Sequence, residues 1–346
     1  MTTSDSSSSP AAAAVAAAVS VDAPRALAPA LDADLATPSL PTPFEPLAPA
    51  PRKRRALWRR ILANWSVRLG GAVLALLILL AAAAPLLGTI DPGAMDPGSA
   101  NLLPGSSGDF SSLTGEATFH HFFPMGTDSL GRDIWSRTAY GARVSITVGI
   151  AVAVLALFFG MLLGLVGGYF RRLDGLLMRL MDGVMAIPGI LFAICLVALF
   201  GNTLQTVIVA IAVPEIPRVA RLVRSVVLTV REEPYVEAAL ALDTPVWKVL
   251  WKHILPNAIA PLIIQGTYVC ATAILVEAIL SFLGIGLPAD MATWGNIMAE
   301  GRAQFNQYPH NVLFPGLFLA ATVLSVNILG DGLRDTLDPK FNKRGA

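Results

Sequence analysis

The sequence predicts an all-α integral membrane protein with six transmembrane helices and with both termini on the cytoplasmic side. The first observation is composition, because 54% of the 346 residues are hydrophobic and 14% are charged, a balance unsuited to a surface that faces water. The second is a series of long uncharged runs, and the third is the placement of Lys and Arg around them. The net charge of +1 gives no basic field that would favour nucleic acid as a partner.

Uncharged runs long enough to cross the bilayer divide the chain into spans. Each run approaches or exceeds the roughly 20 residues that cross the hydrocarbon. One run is too long for a single crossing, and Gly201 and Asn202 divide it at a natural turn, so that six spans result. The runs cover 69–90, 144–170, 183–214, 258–276 and 311–330.

The placement of basic residues tests this topology and fixes its orientation. In membrane proteins, Lys and Arg gather in cytoplasmic segments near the span ends. With the N-terminus inside, the basic block PRKRRALWRR at 51–60 and most of the other Lys and Arg fall on the cytoplasmic side. The outer side receives Arg132, Arg137, Arg143 and Arg302. This asymmetry supports six spans with both ends inside.

The remaining segments follow from the topology and from composition. The N-terminal tail is rich in Ala, Pro and Ser, which predicts that it is disordered. The predicted order is a cytoplasmic tail (1–50), a basic juxtamembrane segment (51–68), the first span (69–90), a periplasmic segment (91–142), a core of five spans (143–335) with a cytoplasmic loop at about 231–257, and a cytoplasmic C-terminus (336–346).

The cytoplasmic loop is predicted to contain two short helices. A Glu-Pro pair at 233–234 starts the first, because Pro at the first helical position loses no hydrogen bond. Asp243 or Thr244 as N-cap opens a second helix that ends before Pro256. Its two lysines lie opposite apolar residues, so it can lie along the inner headgroups. Helices this short are marginal alone, so either a partner or the chain's own spans hold them.

The loop segments EAALALD and KHILPN resemble the EAA loop of the permeases of ABC importers, the cytoplasmic loop that docks on the ATPase subunit. Five further motifs resemble, in order and spacing, the second (C-type) permease of the dipeptide, oligopeptide and nickel subfamily. The resemblance covers about Arg52 to Pro339. The motifs are MGTDSLGRDIWSR (125–137), YGARVSITVG (140–149), EAILSFLGIGLP (277–288), WGNIMAEGR (294–302) and NILGDGLRDTLDP (327–339).

The resemblance implies a type I importer (MetI-like) permease fold in the bacterial inner membrane. It also implies a heterodimer with a second permease subunit, two cytoplasmic ATPase subunits and a periplasmic substrate-binding protein, with membrane lipid around the spans. ATP would be used by the ATPase subunits, with no cofactor or metal on this chain. The coupling residues that it implies are Glu237, Ala238, Ala239, Asp243, His253 and Pro256.

Two positions depart from the family's pattern. The family usually has Gly at the position of Asp243 and Phe at the position of Met125. Glycine between the loop helices would adopt a positive φ, which Asp also visits but at some cost. Asp243 therefore either keeps the turn or caps the second helix. Methionine at position 125 preserves bulk and apolarity.

Three ionisable residues in the spans are candidates for the solute pathway or a gate. Glu215 lies between two prolines in VPEIPR and three residues before Arg218, which favours an ion pair over a substrate contact. Glu277 lies near the outer end of the fifth span. A gate, a contact with the binding protein and a structural hydrogen bond all fit its position.

The periplasmic motif GTDSLGRD is predicted to form a local salt-bridge cluster. Asp128 or Asp133 is placed to pair with Arg132 or Arg137, and the binding protein can land on the same surface. The motif residues are Gly126, Thr127, Asp128, Gly131, Arg132 and Asp133.

The sequence contains no motif for catalysis. It has no GxxxxGK[ST], no HExxH and no nucleophile elbow, which predicts a subunit that is not an enzyme. Cys195 and Cys270 fall in apolar runs, where packing is favoured over a disulfide. The alternative function is a secondary transporter coupled to an ion gradient, which Glu215 and its prolines would suit. Within the importer family, dipeptides and oligopeptides lead as cargo, followed by nickel chelates, glutathione-like peptides and opines.

Overall fold

The computed structural model describes residues 59–113 and 118–337. The predictions for the tail, for residues 51–58 and for the chain beyond 337 lie outside the described residues. In chain order the helices are α1 (Trp65–Ala82), α2 (Ile134–Tyr169), α3 (Arg171–Met185), α4 (Gly189–Phe200), α5 (Leu204–Arg231), α6 (Pro234–Ala241), α7 (Val246–Val249), α8 (Leu255–Phe282), α9 (Trp294–Gly301) and α10 (His310–Leu337).

Several of these helices can cross a membrane. Over the described residues, α1, α2, α10 and the continuous helix Val246–Phe282 are long and apolar enough, and α3 with α4 makes a fifth candidate that bends by 82°. Helix α5 has 28 residues but carries Glu215, Arg218 and further arginines. The chain is therefore a helical membrane protein.

Two helices have ends that differ from those of the uncharged runs they contain. Helix α2 begins at Ile134 rather than near residue 144, because the Asp133 side chain accepts hydrogen bonds from the amides of Trp135 and Ser136 and caps the helix. Helix α1 covers Trp65–Ala82 rather than 69–90, and a 3₁₀ turn with a proline at its start follows it. Hydropathy locates apolar runs and does not locate helix caps.

The break between α4 and α5 lies at Gly201 and Asn202, where the sequence predicted a turn. Helix α4 ends at Phe200, and Gly201 follows with a φ of 87°, a left-handed conformation that suits glycine. Thr203 then caps α5 by accepting a hydrogen bond from the amide of Thr206. Helix α4 begins at Gly189 rather than near residue 183, because Pro188 separates it from α3.

Small residues bring α2 and α5 into close contact at the centre of the bundle. Gly160, Gly164 and Gly168 on α2 face the valines of α5, and a Cβ at Gly164 would lie 2.6 Å from the Ala220 carbonyl oxygen and from the Val223 Cβ. Close approach through small residues is a common way to pack membrane helices. The buried valines join α4 and α8 in the main core.

The segment between α1 and α2 is not helical throughout. It contains an antiparallel hairpin of β1 (Ser106–Phe110) and β2 (Phe119–Phe123), in which Ser106 pairs with Phe123. The Asp96 carboxylate accepts hydrogen bonds from Gly98, Ser99 and Ser111 beside this hairpin. Desolvation acts to raise the pKa of Asp96, but these hydrogen bonds outweigh it and hold the pKa below its usual value.

Candidate functional site

The two loop helices form one unit, residues 234–254, which we call the helix pair. As predicted, α6 begins at Pro234 with Glu233 in the N-cap position. Val236 of α6, Val249 of α7 and Ile254 are fully buried in the main core. The chain's own helices therefore hold the helix pair.

Asp243 makes the turn between the two helices. It has a φ of 56°, and its amide donates to the Leu240 carbonyl while the Thr244 amide donates to the Ala239 carbonyl. This is the hydrogen-bond pattern of a Schellman motif, with aspartate in the position that usually holds glycine. The N-cap of α7 is Pro245, with no side-chain hydrogen bond, so the prediction that Asp243 or Thr244 caps this helix is wrong.

The sequence predicted that the second loop helix ends before Pro256. This prediction is wrong. Helix α7 passes into a π-helical turn, Leu250–Ile254, and then directly into α8. The Leu255 amide donates to the Leu250 carbonyl five residues back. A wider turn relieves the clash that a proline ring makes with the preceding turn of an α-helix. The helix pair is thus continuous with a membrane helix.

The free face of the helix pair combines large apolar side chains with a few charged residues, of which Glu237 is the acidic residue of α6. Glu237, Ala238, Lys248 and Lys252 are exposed, and Ala239 is half-buried. Four large apolar side chains are also exposed, by 40% to 82%: Leu240, Leu242, Trp247 and Trp251. An isolated helical protein rarely exposes such a patch without a partner or lipid to cover it.

His253 lies on the inner side of the helix pair. Its ring centroid is 6.1 Å from that of Tyr235, and the Asn257 side-chain amide donates to both the Tyr235 hydroxyl and the His253 carbonyl. Asn257 therefore joins α6 to the start of α8, and the His253 ring packs beside Tyr235.

A second group of charged residues forms what we call the ion-pair cluster: Asp128, Arg132, Arg137 and Glu300. The Asp128 carboxylate accepts from Arg132 Nε at 2.7 Å and from Arg137 Nη1 at 2.9 Å. Glu300 of α9 accepts from both arginines. The sequence predicted the local pairs but not the contact with Glu300, although Glu300 lies in the WGNIMAEGR motif.

Asp133 has a different role from the one predicted. It pairs with neither arginine and instead caps α2, with the His121 ring nitrogen 3.7 Å from its carboxylate. Burial raises the pKa of Asp133, while hydrogen bonds from Ser136 and the nearby His121 act in the opposite direction. The prediction that Asp133 joins the salt bridges is not supported.

The other residues of the GTDSLGRD motif determine its backbone conformation. Thr127 Oγ1 donates to the Ser99 carbonyl and accepts from the Leu102 amide. Gly126 and Gly131 have φ values of 78° and 73°, which residues other than glycine rarely adopt. These residues hold the motif against the preceding segment.

The candidate pathway residues lie in separate places. Glu215 and Arg218 form the predicted ion pair, at 2.8 Å. Glu277 is fully buried and accepts hydrogen bonds from Ser145 at 3.3 Å and Ser281 at 2.9 Å. Among the described residues, no cluster of three or more His, Cys, Asp or Glu could hold a metal ion.

Two known families match this chain. Residues 156–343 match the family described as binding-protein-dependent transport system inner membrane component. Residues 54–104 match the N-terminal TM domain of oligopeptide transport permease C. The chain belongs to the binding-protein-dependent transport permeases.

Similar proteins carry related names. A probable peptide ABC transporter permease of Sinorhizobium fredii is 50% identical over 80% of this chain and 90% of its own length. The dipeptide transport system permease DppC of Alkalihalophilus pseudofirmus is 40% identical over 86% and 95%. A solved structure of the MetNI methionine ABC transporter in inward-facing conformations has a TM-score of 0.42 and 19% identity, over 56% of this chain and 95% of that one, too low a likeness to support an argument.

Family membership establishes the general role. This permease is a multi-pass, non-catalytic subunit of an ATP-driven importer in the bacterial inner membrane. ATP hydrolysis belongs to a partner ATPase, so the alternative of an ion-gradient-coupled transporter is set aside.

Proposed function

We propose that the permease is the C-type half of a peptide importer, with six spans and both termini in the cytoplasm. The spans are the five candidates described above and α5, whose charges pair with one another and with α3. Its partners are a different permease subunit, two cytoplasmic ATPase subunits that bind the ATP, and a periplasmic substrate-binding protein. The predicted orientation places α6 and α7 in the cytoplasm and the ion-pair cluster outside. We assign it a type I, MetI-like core.

The construction of the helix pair carries this proposal. Its free face exposes Glu237 among apolar side chains, while Val236 and Val249 fix its other face in the core. Because α7 continues into α8, a push on the exposed face is transmitted to a membrane helix without an intervening flexible loop. We assign the α6 part of this face, around Glu237, to ATPase docking.

The substrate class rests on the relatives. Relatives that match over most of their length are named as peptide, dipeptide and oligopeptide permeases, and one is named as a glutathione permease. We therefore assign dipeptides and oligopeptides to this importer, with the choice among them made by the binding protein.

The Glu237→Lys variant tests the coupling role. Glu237 is exposed, so its replacement should change folding stability by no more than about 0.5 kcal/mol. At a docked interface, charge reversal should cost about 2 to 5 kcal/mol, or roughly 30-fold to several thousand-fold in affinity. The variant should reach the membrane at the wild-type level, lose its ATPase in a pull-down and lose peptide uptake.

The Lys248→Glu variant is the matched control. Lys248 is also exposed, on α7, but lies outside the EAALALD motif, so its charge reversal should have a smaller effect on ATPase retention. If Glu237→Lys retained both its ATPase and its uptake, the docking role of this face would be wrong.

A further inference from the structure

Helix α8 separates two grooves, one of mixed lining with polar and charged side chains and one lined almost entirely by apolar side chains. On one side, a cavity of about 680 Å³ opens between α5, α8 and α10, and it is lined by Leu222, Asn257, Pro261, Ile264, Gln265 and Arg334 among others. A second cavity of about 190 Å³ shares Ile264, Gln265 and Arg334 with the first and adds Tyr268, Asn327 and Asp331. Together they form what we call the polar groove.

The other side of α8 is apolar. A cavity of about 270 Å³ there is lined by side chains that include Ile78, Ile150, Ile263, Cys270 and Leu329. Hydrocarbon tails match such a surface, whereas amide and charged groups within membrane spans face protein or a water-filled cavity. The contrast assigns lipid to the apolar groove and water to the polar groove.

Helix α5 continues the polar character along its free face. Arg218, Ser225 and Thr229 are exposed and follow the same helical stripe as Leu222, which lines the cavity. Across the groove, Arg334 forms no ion pair within the described part of the chain. A cation and several amide groups thus face an open space.

We infer that the polar groove is this chain's wall of the inner half of the solute passage. The inference rests on the proposed function and adds where the solute passes. The side-chain amides of Gln265 and Asn327 can hydrogen-bond peptide groups, and the guanidinium of Arg334, which has no ion-pair partner among the described residues, can meet a carboxylate. The solute class that fits this wall is a peptide with a free carboxylate.

Cysteine labelling of the complete transporter in lipid nanodiscs tests this inference. In a parent with Cys195→Ala and Cys270→Ala, Gln265→Cys is compared with Ile263→Cys, two residues away but in the apolar groove. A membrane-impermeant charged maleimide should label Gln265→Cys at least about tenfold faster, the effect of one unit of thiol pKa. After labelling, peptide import into proteoliposomes should be blocked for Gln265→Cys and unchanged for Ile263→Cys.

The outcomes separate the inference from the proposed function. Equal labelling rates would overturn the inference, and so would fast labelling of Gln265→Cys that leaves peptide import intact. Failure of the cysteine-free parent to import any peptide would contradict the proposed substrate instead. In that case the labelling rates alone would decide whether water fills the groove.

Discussion

At the scale of single residues, the ion-pair cluster joins parts of the chain that are far apart in sequence. Arg137 has 1% of its side chain exposed and bridges Asp128 to Glu300, which lies 163 residues further on. Two acidic and two basic groups balance each other's charge. Buried charges of this kind are tolerated because each one has a partner at hydrogen-bond distance.

The Arg137→Gln variant should destabilise the transporter. It leaves Glu300 and Asp128 to share Arg132 alone, and removing one member of a buried pair costs about 3 to 5 kcal/mol. The measurement is thermal unfolding of the purified complex. The double variant Arg137→Gln/Glu300→Gln restores charge balance and should recover part of the loss. A wild-type melting temperature for Arg137→Gln would show that the cluster does not stabilise this fold.

At the scale of elements, the contact between α2 and α5 depends on the absence of side chains along one face of α2. Gly164 lies directly against the Ala220 carbonyl and Val223. A methyl group there would push the two helices apart, because both neighbours belong to a rigid helix. The close approach follows from the sequence only when the register between the helices is known.

The Gly164→Ala variant should therefore lose stability, by about 1 to 3 kcal/mol for overpacking. Gly175→Ala is the control, because a Cβ at Gly175 meets nothing within 4 Å, and alanine within a helix is favoured over glycine by about 0.5 to 1 kcal/mol. In detergent, the melting temperature should fall for Gly164→Ala and rise for Gly175→Ala. A gain in stability of similar size in both would mean that helix propensity, and not the α2–α5 contact, controls the result.

Local patterns predicted the helices better than they predicted the joints between them. Pro256 indicated a helix end because a proline clashes with an ordinary α-helical turn, yet a π turn before it absorbs the clash. Asp243 offered two readings, a turn or a cap, and the hydrogen bonds around it show the turn. Both details depend on how neighbouring helices pack, which a short window of sequence does not contain.

At the scale of the whole molecule, the sequence indicated a membrane bundle and an exposed loop, because long runs of residues show both hydropathy and charge placement. It did not indicate the sharp bend between α3 and α4 or the partnership of Arg137 with Glu300. Those features depend on contacts between segments that are distant in sequence. The two grooves of α8 belong to the same class, because they require three helices in place.

The last prediction concerns the second wall of the passage. The proposed second permease would supply the opposite wall. In a homodimer with two-fold symmetry, each surface patch meets its own copy, so both walls of the passage would carry the same Asp331 and Arg334 side chains. A different permease can offer complementary groups instead.

Co-expression of two differently tagged copies of this chain with the second permease and the ATPase subunits tests this. Pull-down through one tag should retain the second permease and the ATPase, but not the other tagged copy of this chain. Complexes formed with this chain as the only permease should not import peptide. Recovery of both tags in one complex that transports peptide would establish a homodimer and contradict the assignment to the C-type half of a heterodimer.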